Sequence, residues 1–414
     1  MLKSKSRDLI MRCLRTKELD VRKTNDARWI DQKCTPDVVS AVADIVDSLV
    51  QENGENYKFN AKDVWFSKYA REYILEQFNK SDPTKKTSVA EYNKFYQQPL
   101  NMLAYAGVLN KEKIKRTNVY SVNNLELLQY IGMSDRNALL FLQTYIKEVL
   151  KESGLYPQFE KFFNFQTKES FNDLKDEFTK FCQTYTRIKR VLEPHRIFPK
   201  VINPLANEMH KCGSSRGTMS HSTITYTDLM YNKENFRDIF ADKPKDVSRQ
   251  EWLKEHPIKM SRVAKIKADS ARAKRYVRKF NDKYFGGTSE LKDKFAIGQA
   301  TQMHHIFPQN EFSEIAGYTE NIIALTPSQH FNEAHPKNNT QIIDTTFQEL
   351  LLKAKATTID YVVKHEDIEQ IYSFDRFAHV LKVGLNLAKP EENYNDYISA
   401  VNEISKHYIV KFDN

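Results

Sequence analysis

Four of the chain's eleven histidines, His304, His305, His330 and His335, fall close together, while the other seven are scattered. The first two end a short apolar run, Met303-His304-His305-Ile306-Phe307-Pro308. Asn321 opens a second run, Ile322-Ile323-Ala324-Leu325. Thr326-Pro327 then starts a helix, with Thr326 as N-cap and Pro327 at the first helical position. His330 falls in the first turn of that helix and points back at the hairpin. Hydrolysis of a phosphodiester needs an activated water, charge neutralisation on the scissile phosphate and help for the leaving 3′ oxygen. A histidine beside one divalent metal supplies all three. A strand-turn-strand-helix unit is the scaffold that would hold them together.

Neighbouring residues on a strand face opposite ways. His304 and His305 can therefore serve one metal and one substrate only if the turn re-aims them, as a distorted hairpin can. His335 lies five residues past His330, whereas a ligand on the same helix face would stand at four, where Ala334 is. Pro336 ends the helix there, so a last turn that opens would deliver His335 to the metal or to a phosphate as a candidate third ligand. A single strand histidine is usually structural. Four within about thirty residues are hard to ascribe to packing.

The segment resembles the HNH, or ββα-metal, nuclease family. The family pattern is a His pair (or Asp-His), an Asn sixteen residues on and a His nine after that; His304-His305, Asn321 and His330 match it. The resemblance implies that His305 is the general base and that His304 and His330 hold one Mg²⁺ or a similar ion. It implies that Asn321 braces the loop carrying His305 through backbone hydrogen bonds. His stands as first ligand where many members have Asp, which relaxes the metal choice towards Mn²⁺, Co²⁺ or Ni²⁺, since imidazole is softer than carboxylate. The family's common zinc-binding cysteines are missing. Packing against the flanks must hold the unit instead.

Such a unit needs elements that bring DNA to it. From Lys259 to Lys283 ten Lys/Arg stand against two acids, Asp269 and Asp282, in a pattern that reads as a basic helix over 261–284. A charge run is usually a solvated face, but this imbalance favours DNA backbone contact through Lys265, Lys267, Arg272, Lys274, Arg275 and Arg278. Its Val263, Ile266, Tyr276 and Val277 are too sparse for a deeply buried element.

Nearer the N-terminus, apolar periodicity predicts helices from Thr35-Pro36-Asp37 to Asn53-Gly54, over 61–79 and from Val89 to Tyr105. A small hairpin follows, with Lys113, Lys115 and Arg116 at its basic tip. Helices followed by such a hairpin suggest a winged-helix domain, its third helix entering the major groove and its wing carrying Lys115 and Arg116. A generic helical domain with a solvated hairpin is the alternative.

The expected class is mostly α with small β elements (α+β). The divisions are a basic arm at 1–36, the winged-helix domain at 37–125, a helical region at 126–193, a loop-rich region with the basic helix at 194–290, the ββα-metal nuclease unit at 291–345 and C-terminal helices at 346–414. Pro194, Pro199, Pro204, Gly213 and Gly217 make 194–225 read as loop. Its His195, His210, His221 and Cys212 match no common zinc spacing, and Arg196, Lys200, Lys211 and Arg216 could line a DNA channel or a solvated loop. Asp31-Gln32-Lys33 fits the D-x-K end of another nuclease active site, a three-residue match that chance often supplies.

A chain of 414 residues with 40% hydrophobic and 12% aromatic content can build more than one core. The net charge of +9 agrees with a polyanionic partner. No apolar run reaches ~18 residues, so no membrane span is expected. The N-terminus lacks an apolar signal core, which points to the cytoplasm. Four distant cysteines without a C-x-x-C pair speak against a cysteine-held zinc or a disulfide framework. The layout resembles type II restriction endonucleases of the HNH class, as do Ala27–Lys33 and Pro199–Ala206 less specifically. That resemblance implies cleavage of double-stranded DNA at a specific sequence, products with 5′ phosphate and 3′ hydroxyl, a cognate methyltransferase, and two subunits or two events for a double-strand cut. The alternatives are a less specific nuclease of homing, defence or toxin type, and a DNA-binding regulator with an inactive metal site.

Overall fold

The computed structural model describes residues 2–71, 78, 89–231, 262–309, 311–332, 345–365 and 367–412. The chain divides into two compact units, Lys3–Met260 and Ser261–Asn414. Both are mostly helical with small antiparallel sheets, as the α+β expectation requires. No helix among the described residues is long and apolar enough to cross a membrane.

The N-terminal unit opens with α1 (Leu2–Leu14) and α2 (Val21–Thr24), so residues 1–36 do not form an irregular arm. Trp29, Ile30 and Cys34 are buried, and the Tyr145 hydroxyl donates to the Trp29 carbonyl at 2.5 Å. Charge count misled here because cations such as Arg12, Arg15, Arg22 and Lys23 lie exposed on a segment whose apolar residues are core.

The central helix is α3 (Pro36–Asn53), with Pro36 in its first turn and Gly54 after its end at φ +96°. It is buried over most of its length. Its acids are satisfied inside the fold: Asp44 accepts from the Tyr69 hydroxyl and Asp47 from the Gln129 amide. After it come β1 (Phe59–Asn60), α4 (Ala61–Phe66), α5 (Val89–Tyr105), β2 (Leu109–Ile114) and β3 (Thr117–Val122). β1 and β2 both pair with β3, giving the order β1-β3-β2. The β2–β3 hairpin closes at Lys115-Arg116, with Lys115 at φ +54°, and both of those side chains are exposed.

Next come α6 (Leu125–Met133), α7 (Asp135–Glu152), α8 (Tyr156–Asn164), α9 (Lys168–Tyr185) and α10 (Leu192–Glu208). Residues 192–208 thus form a helix where loop was expected. Ile197, Phe198, Val201, Ile202 and Leu205 recur at helical spacing and are buried. Their burial outweighs the loss of backbone donors at Pro199 and Pro204, and Pro194 sits in the first turn, where no donor is needed. The hairpin of β4 (Cys212–Ser215) and β5 (Thr218–Thr223) packs on α10. Asn203 exchanges two hydrogen bonds with the Ser214 backbone, at 2.7 and 2.9 Å.

The C-terminal unit begins with α11 (Arg262–Phe285), the expected basic helix. It is not a free helix. Ser270, Arg272, Ala273, Tyr276, Val277, Phe280 and Asn281 are buried. Counting only Val263, Ile266, Tyr276 and Val277 underestimated that face, because Phe280 and small and polar side chains complete it. The hairpin of β6 (Gln302–His305) and β7 (Ile322–Leu325) lies against α11, with His304 opposite Ile323 and His305 opposite Ile322. The four β7 side chains are fully buried, each large one worth roughly 1.5–3 kcal/mol. Then follow α12 (Pro327–Asn332), α13 (Thr345–Lys364), α14 (Phe374–Gly384) and α15 (Tyr397–Phe412).

Two buried ion pairs tie the hairpin to the helices behind it. The free edge of β7 is taken by Glu290, whose backbone N–H donates to the Ala324 carbonyl and whose carboxylate accepts from the Ala324 N–H. That carboxylate also meets Lys355 of α13 at 2.8 Å, with both side chains at most 2% exposed. Glu320, fully buried, accepts from Arg376 at 2.8 Å and from the Ser373 N–H at 2.9 Å. The hairpin is thus held by packing and ion pairs against its flanks.

Candidate active site

His304 and His305 stand on β6 and serve opposite sides, as adjacent strand residues must. His304 turns towards α12. Its ring lies 5.1 Å from that of His330, centroid to centroid, with the planes 80° apart. His304 is 5% exposed, and Nε2 of His304 and Nδ1 of His330 are both removed from solvent.

The orientation of His330 comes from the start of α12. Gln329 donates its backbone N–H to Thr326 Oγ1, and its side-chain oxygen accepts from the Thr326 N–H. This reciprocal cap realises the Thr326 N-cap expected from the sequence. Gln329 also accepts from Ser289 Oγ at 2.6 Å and donates to the Leu291 carbonyl at 2.9 Å. The first turn of α12 is therefore pinned to the 289–293 segment as well as to its own cap.

His305 faces α11 and the 315–317 loop. Its Nε2 lies 3.0 Å from the Ala316 carbonyl and 3.2 Å from Ser270 Oγ. A carbonyl can only accept, so the bond to Ala316 places the ring proton on Nε2 and leaves Nδ1 with the lone pair. Burial and the nearby Lys274 cation push the His305 pKa down to about 4, against a smaller opposing effect of the Ala316 bond. The imidazole is thus neutral at ordinary pH. Lys274 is itself half-buried, and desolvation lowers its pKa.

Asn321 is fully buried just behind this strand. Its side-chain oxygen accepts from the Phe307 N–H at 2.9 Å, and its amide donates to the carbonyls of Phe307 (3.1 Å) and Ile315 (3.3 Å). Its own carbonyl accepts from the Ile306 N–H. One side chain therefore fixes both the chain leaving His305 and the loop that supplies the Ala316 carbonyl. Phe307 seats against Gly384, where an added Cβ would come within 2.3 Å of the ring.

His304 and His330 are brought into contact on one side of β6, and His305 and Asn321 are tied to the 315–317 loop on the other, so the turn does not re-aim the histidine pair onto one point. His335 lies outside the described residues, as does the side chain of Lys265. Among the described residues no group of three or more His, Cys, Asp or Glu gathers at one point. Two imidazoles in contact fit a borderline divalent ion that completes its coordination with water and phosphate oxygens. Of the cations expected to meet DNA, Lys267 and Arg278 are exposed and Lys274 and Arg275 half-exposed on α11. Arg272 does not fit that role: its side chain is 2% exposed and bonds Asp269 at 2.8 Å. His195, His210, His221 and Cys212 form no metal cluster. The Cys212 backbone instead exchanges two bonds with the Gln166 amide. Asp31 and Lys33 diverge, Asp31 to Arg28 and Lys33 to Glu91 and the Tyr231 hydroxyl. Sequence spacing gave no sign of Ser270, Gln329 or the Ala316 carbonyl. A Gln three residues after an N-cap Thr was the one local signal available.

Comparison with family models, with curated proteins and with solved structures found no match for the chain.

Proposed function

We propose that the chain is a metal-dependent endonuclease that hydrolyses phosphodiester bonds of double-stranded DNA, of the HNH restriction type. The observation that carries this reading is the contact of His304 with His330 beside an anchored His305, the next residue on the strand. His305 is braced through Ala316 and the Asn321 loop on one side, and His304 meets His330 on the other.

In this reading His305 Nδ1 takes a proton from the attacking water, and the Ala316 carbonyl holds the imidazolium that forms. Asn321 positions that loop and does not touch the substrate. Lys274 offers charge to the scissile phosphate. His304 and His330 would hold the divalent ion, Mg²⁺ or a softer ion such as Mn²⁺. When bound, it supplies charge neutralisation for the phosphate and the leaving oxygen. The products carry 5′ phosphate and 3′ hydroxyl.

The N-terminal unit supports sequence recognition. Its run α3-β1-α4-α5-β2-β3, with strand order β1-β3-β2 and an exposed basic hairpin tip, fits a winged helix. Specific cutting implies a cognate methyltransferase that protects the host site, and double-strand cutting implies a homodimer or sequential events.

The test is digestion of sequenced, unmethylated plasmid and phage DNA with Mg²⁺ or Mn²⁺. A fixed fragment ladder, lost with EDTA and in His305→Ala, is expected. A metal-dependent smear would remove the specificity. Binding without cutting under every metal would leave a DNA-binding regulator.

A further inference from the structure

The N-terminal unit contains a cleft of about 400 Å³ that the hydrolytic chemistry does not use. One wall is a stripe of α5. Lys94, Gln97, Gln98 and Asn101 all line the cleft, and their spacing puts them on a single helix face. The facing wall is Arg190, Glu193 and Arg196, at and just before the start of α10. Arg28 also lines the cleft, and its guanidinium bridges Asp31 at 2.5 Å and Glu193 at 2.8 Å.

That bridge gives both acids one shared cation. Lys94, Arg190 and Arg196 are exposed and have no ion pair among the described residues. The cleft therefore carries three cations without an ion pair among the described residues beside an Arg28–Asp31–Glu193 group of net charge minus one, which leaves it positive. Amide side chains line it too, and they carry a donor and an acceptor on one group. Gln98 uses its oxygen on the Lys33 N–H, whereas the Gln97 amide makes no hydrogen bond among the described residues. Cations beside amides match a ligand with an anionic backbone and a hydrogen-bonding edge.

We propose that this cleft binds a nucleotide segment of a DNA strand, its phosphates on Arg190, Arg196 and Lys94 and its base edge on Gln97. The inference rests on DNA being the substrate, as argued above. It differs from a helix lying in an open major groove, because the polar stripe of α5 lines a cleft together with Arg190, Glu193 and Arg196.

The experiment uses the full chain carrying His305→Ala, so that DNA is bound without being cut. Anisotropy with a labelled duplex over a salt series gives the slope of log K against log salt. Adding Arg190→Gln and Arg196→Gln is expected to reduce that slope by about 2, with the melting temperature unchanged because both side chains are exposed. The Arg190→Lys, Arg196→Lys pair restores the slope. Gln97→Ala leaves the slope alone and relaxes the sequences selected from a randomised duplex pool.

An unchanged slope in the Gln pair, with the parent binding DNA, overturns the proposal. So does a parent that ignores duplex DNA yet binds free deoxynucleoside monophosphates through the same arginines. Cutting is scored separately on the chain with His305 intact. A chain that cuts while the arginine pair leaves binding untouched refutes the cleft and keeps the nuclease. A chain that never cuts, but whose binding follows the arginines, refutes the nuclease and keeps the cleft.

Discussion

At the scale of single residues, Asn321 has the clearest assignment. Its role as the brace of the His305 loop was legible because an Asn at that offset from a His pair is part of a recognisable pattern. Asn321→Asp keeps the oxygen that receives the Phe307 N–H but loses both amide donations, leaving the Phe307 and Ile315 carbonyls without that partner. The variant should lose about 1–3 kcal/mol of stability. Under the proposed function it should also lose ~10²-fold in the cleavage rate constant, because His305 shifts relative to the substrate. Single-turnover cleavage beside a thermal melt separates the two effects. A full rate constant at unchanged DNA affinity would remove Asn321 from the positioning of His305. Ser270 and Ala316 were not legible, since their tie to His305 is made across elements and leaves no trace in local spacing. Arg272 misled for the same reason: a cation in a basic run is read as solvated until Asp269 and the burial around it are seen.

At the scale of elements, the hairpin and its short helix were readable from sequence, but the means of holding them was not. Thr326-Pro327 marked the start of α12, while the contribution of Gln329 depends on its bonds to Ser289 and Leu291 far back in the chain. Gln329→Ala removes the reciprocal cap and those bonds together. It should weaken Mn²⁺ binding to the His304–His330 pair by ~10–100-fold, the size of effect expected from groups that orient ligands. Titration followed by electron paramagnetic resonance reads this without any cleavage assay, and unaltered Mn²⁺ affinity would show that α12 is held without Gln329.

The Glu290–Lys355 pair bears on the same architecture. Lys355→Ala leaves a buried carboxylate without its cation and should cost about 3–5 kcal/mol. Replacing both residues by leucine should recover most of that loss, since an apolar pair needs no compensation, although the Ala324 N–H then loses its acceptor. Chemical denaturation of the parent and these two variants tests this, and a double variant as unstable as Lys355→Ala would mean that the bond to Ala324 matters more than the ion pair. The helix at 192–208 shows the converse limit of local reading. Three prolines spoke for a loop, and only the burial of Ile197, Phe198, Val201, Ile202 and Leu205 turned the balance.

At the scale of the whole molecule, the division into two units was only partly foreseen. The basic helix was grouped with the loop-rich middle, yet it packs on the hairpin and belongs with the C-terminal unit, because its buried stripe mixes Ser270, Ala273 and Asn281 with its few large apolar residues. The chain has one histidine constellation of the kind described, centred on His305. Under the proposed function, one such centre hydrolyses one strand per encounter. Supercoiled plasmid at a molar excess over enzyme should therefore pass through nicked circles before linear DNA appears. Raising enzyme over plasmid should increase the linear fraction more than in proportion, since a second copy must reach the opposite strand. Gel quantification of the three plasmid forms over time decides it. Linear DNA forming from the outset, without a nicked intermediate at sub-stoichiometric enzyme, would mean that two centres act in one encounter, and would require the copies to be paired before they meet DNA.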